Sequence, residues 1–259
     1  MIVTRELAAQ LEHVEARRQL GYAQAHRATG GDAVWLEVGG GVVVSTGERF
    51  PVNRGFGLGL NQPLEAVQLD TLEEVLQARG FTPELDLCPL AATPDVLALL
   101  SARGYAVAST LNMYALDLET NVPSPPQTTV EHVTRIKDWL EYALKVWDYP
   151  TDAPMHTMMR LAFHLPGAQA FAWRQGDTVQ AIGAVQLGEV ATLYSGGTAL
   201  AARGQGAQAA LLHERLRVAR ASGARLATSS ANPGTASSRN LERAGFRLMY
   251  TKLRLRQSI

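Results

Sequence analysis

Apolar positions along this chain recur with two spacings, and the changes from one to the other mark its elements. Behind Thr4, a good N-cap residue with Glu6 in the following turn, Leu7, Leu11 and Val14 recur at helical spacing and predict a first helix. Leu7 stands three places after Thr4, so no capping box is expected. Short β-branched and aromatic runs at 34–38 and 42–44 flank Gly39-Gly40-Gly41 and predict a hairpin. Leu72, Val75 and Leu76 give a helix over 71–79. After a strand about 128–133, Ile136, Leu140, Ala143, Leu144 and Trp147 return to helical spacing until Asp148-Tyr149-Pro150 breaks it. Met155, Met158, Met159 and Phe163 mark a further helix before Pro166-Gly167, the methionines reading as core. Runs at 170–173, 180–187 and 190–197 then form a meander with turns at Gln175-Gly176-Asp177 and Gly188-Glu189.

The meander delivers the chain to the stretch around which the rest is organised. A strand ends near Thr198, the turn Arg203-Gly204-Gln205-Gly206-Ala207-Gln208 follows, and then Ala209, Leu212, Leu216 and Ala219 line one face of a helix stopped by Gly223. His213, Glu214, Arg217 and Arg220 fall elsewhere on it, and 225–229 supplies the next strand, so the unit is βαβ. The first N–H groups of a helix lack internal partners and lie at the positive end of its dipole, where an anion satisfies both. Gly204 and Gly206 allow a tight turn and close approach, and Arg203 adds a guanidinium suited to phosphate oxygens. The turn has no Gly-Lys-Ser/Thr ending, and no acidic residue stands at the distance a ribose would require. A different diphosphate is therefore expected, the plain alternative being a glycine-rich turn without a ligand.

Arg203 to Gln208 resembles the signature Arg/Gln-x-x-Gly-x-Gly/Ala of the GNAT superfamily of N-acyltransferases, matching at Arg203 and Gly206 and departing at Gln208. Downstream, Asn240-Leu241-Glu242-Arg243-Ala244-Gly245-Phe246 stands where that family has its last helix ending in Gly-Phe. The resemblance implies that Arg203, Gly204, Gln205, Gly206, Ala207 and Gln208 hold the pyrophosphate of acetyl-coenzyme A, or another acyl-CoA, as co-substrate. It implies that the pantetheine arm pairs with the strand end at Gly196, Gly197 and Thr198. Ser237 matches the small polar residue near that arm, and Asn232 stands close to where the family often has an Asn, here Gly234.

A second pattern concerns the whole chain. Leu100 to Val107 can be laid over Leu241 to Leu248 with leucine, glycine, aromatic and apolar positions coinciding, each copy leading into a final strand. The expected fold is α/β (mixed α+β), with two GNAT-like domains, each a mixed, mostly antiparallel sheet flanked by helices. Asn121-Val122-Pro123-Ser124-Pro125-Pro126-Gln127 favours extended backbone, which makes 121–128 a linker between a degenerate domain, 1–120, and an acyl-CoA-binding domain, 129–259. Arg54-Gly55-Phe56-Gly57-Leu58-Gly59 fits the acyl-CoA signature better than the turn at Arg203 does, yet Leu60-Asn61-Gln62-Pro63 follows instead of a helix start. Context favours a strand and turn in a binding wall or the core over a second cofactor site.

Composition changes this picture little: 46% of the residues are hydrophobic, 19% are charged, and the net charge is zero, which suits an ordinary globular protein of two domains. Balanced charge argues against a general nucleic-acid or membrane binder, and no metal is expected. The single cysteine, Cys88, excludes an internal disulfide and reads as a small buried hydrophobe. With neither a signal-like N-terminus nor a long apolar span, the expected compartment is the cytoplasm, and the expected state is a monomer or homodimer.

The chemistry implied is transfer of an acetyl group to a primary amine of a small molecule or peptide. It requires a neutral nucleophile, a stabilised oxyanion and a proton for the departing thiolate. Many relatives place a Tyr in the last helix as proton donor, where this chain has Leu241. Tyr194 and Ser195, on the strand before the turn, are the candidate replacements, although a strand Tyr is commonly a packed residue. Glu189 reads as a solvated turn residue and His164 as a helix-end residue. The family's arrangement puts the acceptor near Trp147, Asp148 and Tyr149, an aromatic pair around a carboxylate that also reads as a packed helix end. Leu241 motivates a rival reading, a non-catalytic acyl-CoA-binding or interaction protein.

Overall fold

A computed structural model of the chain describes residues 1–120, 130–151 and 154–258. The 121–128 linker expected from sequence lies outside them. The chain forms two compact units, one of Met1–Met113 with Met249–Ile259, the other Tyr114–Leu248.

The first unit opens with α1 (Arg5–Ala28), capped as its sequence predicts by Thr4, whose hydroxyl accepts the Leu7 N–H at 3.2 Å. Strands β1 (Val34–Val38) and β2 (Gly41–Ser45) form the hairpin, turned by Gly39 and Gly40 at φ +59° and +77°, the left-handed pair that a two-residue turn of this hand demands. Strand β3 (Arg54–Phe56), α2 (Ala66–Gln77), β4 (Glu84–Leu87) and α3 (Pro94–Ala102) follow. Helix α2 starts five residues before the predicted stretch, because Gln68 reaches back to accept the Glu65 N–H at 2.6 Å and adds a turn that the apolar spacing does not mark.

Strand β5 (Tyr105–Asp117) belongs to the first unit through Met113 and to the second from Tyr114, and β11 (Arg247–Gln257) belongs to the first from Met249. The first sheet runs β1-β2-β3-β4-β11-β5, antiparallel at β1/β2, β2/β3 and β4/β11 and parallel at β3/β4. Its end of β11 brings Tyr250 and the fully buried Lys252 to Glu12 on α1: the Tyr250 hydroxyl donates to Glu12 Oε1 at 2.7 Å, and Lys252 Nζ lies 2.9 Å from the same oxygen.

The second unit contains β6 (Val130–Val133), α4 (Ile136–Trp147), α5 (Pro154–Phe163), β7 (Ala168–Gln175), β8 (Thr178–Gln186) and β9 (Val190–Thr198). It continues through α6 (Ala207–Ala221), β10 (Leu226–Ala231) and α7 (Ala236–Arg243). Its sheet runs β5-β10-β9-β8-β7-β6, antiparallel from β6 to β9 and parallel at β9/β10. Leu211, Leu212, Leu216 and Ala219 of α6 are buried with Phe171, Val185, Leu193 and Ala227 of the sheet. Each such leucine contributes about 1.5–3 kcal/mol by leaving water. The expected mixed sheets flanked by helices are present in both units.

The repeat seen in sequence is a repeated local solution. Thr93 caps α3 by accepting the Val96 N–H, and Thr235 caps α7 by accepting the Ser238 N–H. Each helix ends at a left-handed glycine, Gly104 or Gly245, that turns a buried Tyr105 or Phe246 into a strand.

Candidate functional site

The site is built where β9 leaves its neighbours. Strands β9 and β10 pair only at Val190, Ala191 and Thr192 with Leu226, Ala227 and Thr228. On the other side β9 bulges: Tyr194 faces Ala184 and Gly197 faces Ile182, so Ser195 and Gly196 together oppose Gly183. Ser195 sits at φ +49°, a conformation that costs a non-glycine residue energy. Beyond the bulge, Gly196 and Gly197 face opposite sides of the sheet, as successive strand residues do. A Cβ on Gly197 would overlap the Trp147 indole of α4, while one on Gly196 would meet Gln208 Oε1 at 3.3 Å, on the α6 side.

Past a short 3-10 turn at Leu200–Ala202, the chain enters α6 with Gly206 as its N-cap at φ +80° and no side-chain cap. The first intrahelical bond of α6 from that residue is Ala210 N–H to Gly206 carbonyl, which leaves the N–H groups of the first turn open. Gly204, at φ +79°, and Gly206 both face open space, with no protein atom within 4 Å of a Cβ built on either. The glycines therefore serve backbone conformation and access, not internal packing. Arg203, Gly204, Gln205 and Gly206 are exposed. This end of α6 fits a diphosphate.

Gln208, the departure from the signature, has a place of its own. Its Nε2 donates to the Gly197 carbonyl and to Thr198 Oγ1, both at 2.8 Å, tying the first turn of α6 to the end of β9. Ser237 is exposed in the first turn of α7, and the Asn232 carbonyl accepts the Thr235 hydroxyl at 2.8 Å just before that helix.

Comparison of the sequence with protein-family models and with curated proteins returns no match. Solved structures do resemble it. A GCN5-related N-acetyltransferase from Kribbella flavida is 20% identical with a TM-score of 0.68, over 94% of this chain and 95% of that chain. A GCN5-related N-acetyltransferase from Sphaerobacter thermophilus is 18% identical at 0.59, over 87% and 75%. A tandem GNAT protein from the clavulanic acid biosynthesis pathway, in a structure without acetyl-CoA, is 13% identical at 0.59, over 93% and 94%. The chain has the GNAT fold.

Within this GNAT fold the candidate catalytic and acceptor residues are placed as follows. The Tyr194 hydroxyl is buried and donates to the Ala162 carbonyl of α5 at 2.7 Å, so release of its proton would break that bond. Ser195 lies at the bulge, half-buried. Trp147 packs on Gly197 at the end of β9, and Asp148 is an exposed left-handed C-cap whose N–H donates to the Leu144 carbonyl. The Tyr149 hydroxyl is buried without a hydrogen-bond partner among the described residues, and burial pushes its phenol up to about 12. Leu241 is buried in the core, leaving the last helix without a hydroxyl at that position.

The Arg54–Gly59 stretch differs on each count from the Arg203 turn. Arg54 pairs with Glu84 and Asp86, both at 3.0 Å, and Arg5 Nη2 donates to the Gly59 and Leu60 carbonyls. The helix that follows, α2, starts seven residues after Gly59, behind a carboxylate, Glu65, at its N-cap. The stretch is part of the first unit's own architecture.

Sequence reasoning missed Arg215. It lies on α6 among Leu211, Leu212 and Leu216, and is 3% exposed. A charged residue on the apolar face of a predicted helix was the available signal. Among the described residues no group of three or more His, Cys, Asp or Glu side chains is placed to hold a metal ion, and no helix is long and apolar enough to cross a membrane.

Proposed function

We propose that the chain is an acyl-CoA-dependent N-acyltransferase, with acetyl-CoA as acyl donor and a primary amine of a small molecule or peptide as acceptor. One observation carries this reading: α6 begins uncapped, behind two left-handed glycines facing open space, beside the place where β9 departs from β10. The open N–H groups and Arg203 would take the diphosphate, and the freed edge of β9 at Gly196–Thr198 would take the amides of the arm, with Asn232 and Ser237 close to it. The thioester supplies an activated acyl group. The protein's part is to hold the acyl carbon beside the acceptor and to offer backbone donors at the bulge to the oxygen that gains charge, effects of several kcal/mol each. Ser195, at the bulge, is the proposed polar side chain nearest that chemistry, and Trp147, Asp148 and Tyr149 the proposed acceptor contacts.

Calorimetric titration with acetyl-CoA tests the reading. Binding is expected in the natural protein and loss of at least 100-fold in affinity in the Arg203→Ala, Gly206→Asp double variant, in which a carboxylate occupies the helix end. No binding at millimolar acetyl-CoA would sink it.

A second reading, a non-catalytic acyl-CoA-binding protein, is favoured by Leu241 and by the commitment of the Tyr194 hydroxyl to Ala162. Release of free thiol from acetyl-CoA that depends on an added amine would exclude it.

A further inference from the structure

Arg215 is a buried cation without a counter-charge among the described residues. Its Nε donates to the Leu211 carbonyl at 3.0 Å, one turn back on α6. Its Nη1 donates to the Ala184 carbonyl at 3.3 Å and the Tyr194 carbonyl at 3.4 Å, the two residues that pair at one edge of the β9 bulge. Gly183, the residue opposite the bulge, makes the room: a Cβ there would lie 2.8 Å from the guanidinium carbon. On the far side lies Gly196, where a Cβ would stand 3.9 Å from both Nη1 and Nη2. Among the described residues no carboxylate from α6, α7 or β6 to β9 acts on the group. Burial alone acts on it, pulling it down to about 10, which leaves it charged at neutral pH.

Holding two carbonyls at a bulge needs only N–H donors, which an uncharged amide provides. Burying a full charge for that purpose is costly unless the charge is used. At 3% exposure its field reaches across the bulge with less screening than that of a surface charge. We infer that Arg215 is a positioning residue for acyl transfer at the β9 bulge, fixing the strand's shape and setting a positive charge beneath the atoms that become negative.

The inference rests on the acyltransferase reading. In that reaction the amine lone pair forms the new C–N bond, and the carbonyl π pair moves to oxygen. Collapse then breaks the C–S bond, sulfur leaves with the pair as thiolate, and the ammonium proton passes to the thiolate or to water. Arg215 exchanges no proton in this scheme. It stabilises charge first on oxygen, then on sulfur.

The test uses free CoA, whose thiol is the leaving group in place, so that no acceptor is needed. Thiolate absorbance of the bound CoA is titrated against pH in the natural protein and in Arg215→Met, Arg215→Lys and Gly183→Ala. Cys88, buried and raised by burial to about 11, is removed from the signal by the protein-alone titration. Loss of the cation in Arg215→Met is expected to raise the bound thiol's pKa by about one unit or more, whereas Arg215→Lys keeps the charge and stays within a few tenths. A purely architectural role predicts that Lys and Met behave alike. Gly183→Ala displaces the guanidinium without removing it, is expected to raise the thiol's pKa, and decides the matter if Arg215→Met does not fold. An unchanged thiol in Arg215→Met, or failing that in Gly183→Ala, overturns the inference while leaving the acyltransferase reading intact. Failure of the natural protein to bind CoA overturns both.

Discussion

Gln208 is the residue where the resemblance and the geometry pull apart. The signature position takes Gly or Ala, and here a primary amide spans from α6 to the Gly197 carbonyl and the Thr198 hydroxyl. If the arm of the cofactor pairs with that strand end, it must displace Gln208 from the same acceptor. A neutral hydrogen bond is worth about 1 kcal/mol net, so Gln208→Ala is expected to tighten acetyl-CoA binding roughly three- to fivefold. Calorimetry on the variant reads this directly, and weaker binding would show that the amide assists the cofactor. A second residue-scale expectation concerns Glu15 in the first unit. Burial opposes its charge, but Arg18 at 2.8 Å, the field of Lys252 and the Gln19 amide at 2.7 Å outweigh it, holding the carboxyl at about 2 against an ordinary 4.5. A depressed folded-state pKa contributes stability that is present above the unfolded value and lost as pH falls toward about 2. The contribution is on the order of 2–3 kcal/mol. Glu12 works in the opposite sense, its carboxyl raised chiefly by burial, so its share is lost as pH rises. Urea midpoints measured from pH 4.5 down to about 2 should therefore fall less steeply in Glu15→Gln than in the natural protein. Equal slopes would show that Glu15 is not the group responsible.

At the scale of elements, what was legible in the sequence is what local spacing and capping decide. The Thr4 cap, the Gly39-Gly40 hairpin, the α4 stop at Asp148 and the βαβ unit of β9, α6 and β10 each depend on residues within one turn or one strand of each other. The glycine turn before α6 was readable for the same reason. Strand partnership is different, because the side of a strand that finds a neighbour carries no local mark. Hence the pairing of β11 with β4, Leu253 opposite Leu87, could not be read, nor could the placement of the chain's last strand in its first unit. The meaning of Lys252 and Glu12 followed that pairing: 240 residues apart, they read as two surface charges until β11 brings them together. Arg215 was hidden for a related reason. Its use depends on a bulge in β9, and a bulge is a property of two strands in register, which the spacing along β9 alone does not show.

For the molecule as a whole, the same plan occurs twice and has been finished differently. In each unit an antiparallel run passes to a parallel pair through a helix, β3-α2-β4 in the first and β9-α6-β10 in the second. What separates them is the helix end. Helix α2 starts with a carboxylate at its N-cap and a loop between it and β3, and the arginine in the signature position, Arg54, is spent on Glu84 and Asp86. Helix α6 starts with glycine, open donors and an exposed Arg203. An anion gains from the second and is repelled by the first. One acetyl-CoA per chain is therefore the expected stoichiometry, despite two stretches that fit the sequence signature. Arg54→Ala separates the two roles an arginine can have here. It strips the buried Asp86 of its nearest cation, leaving Arg254 at 3.5 Å, and takes from Glu84 one of its two arginines, the other being Arg256, so it should cost on the order of 2 kcal/mol and lower the melting temperature by several degrees. Acetyl-CoA affinity should stay within twofold of the natural protein's, while Arg203→Ala should do the reverse, weakening binding with little change in melting. A second binding event in the calorimetric trace, lost with Arg54, would mean that the first unit also holds the cofactor and that the capped helix is no barrier to it.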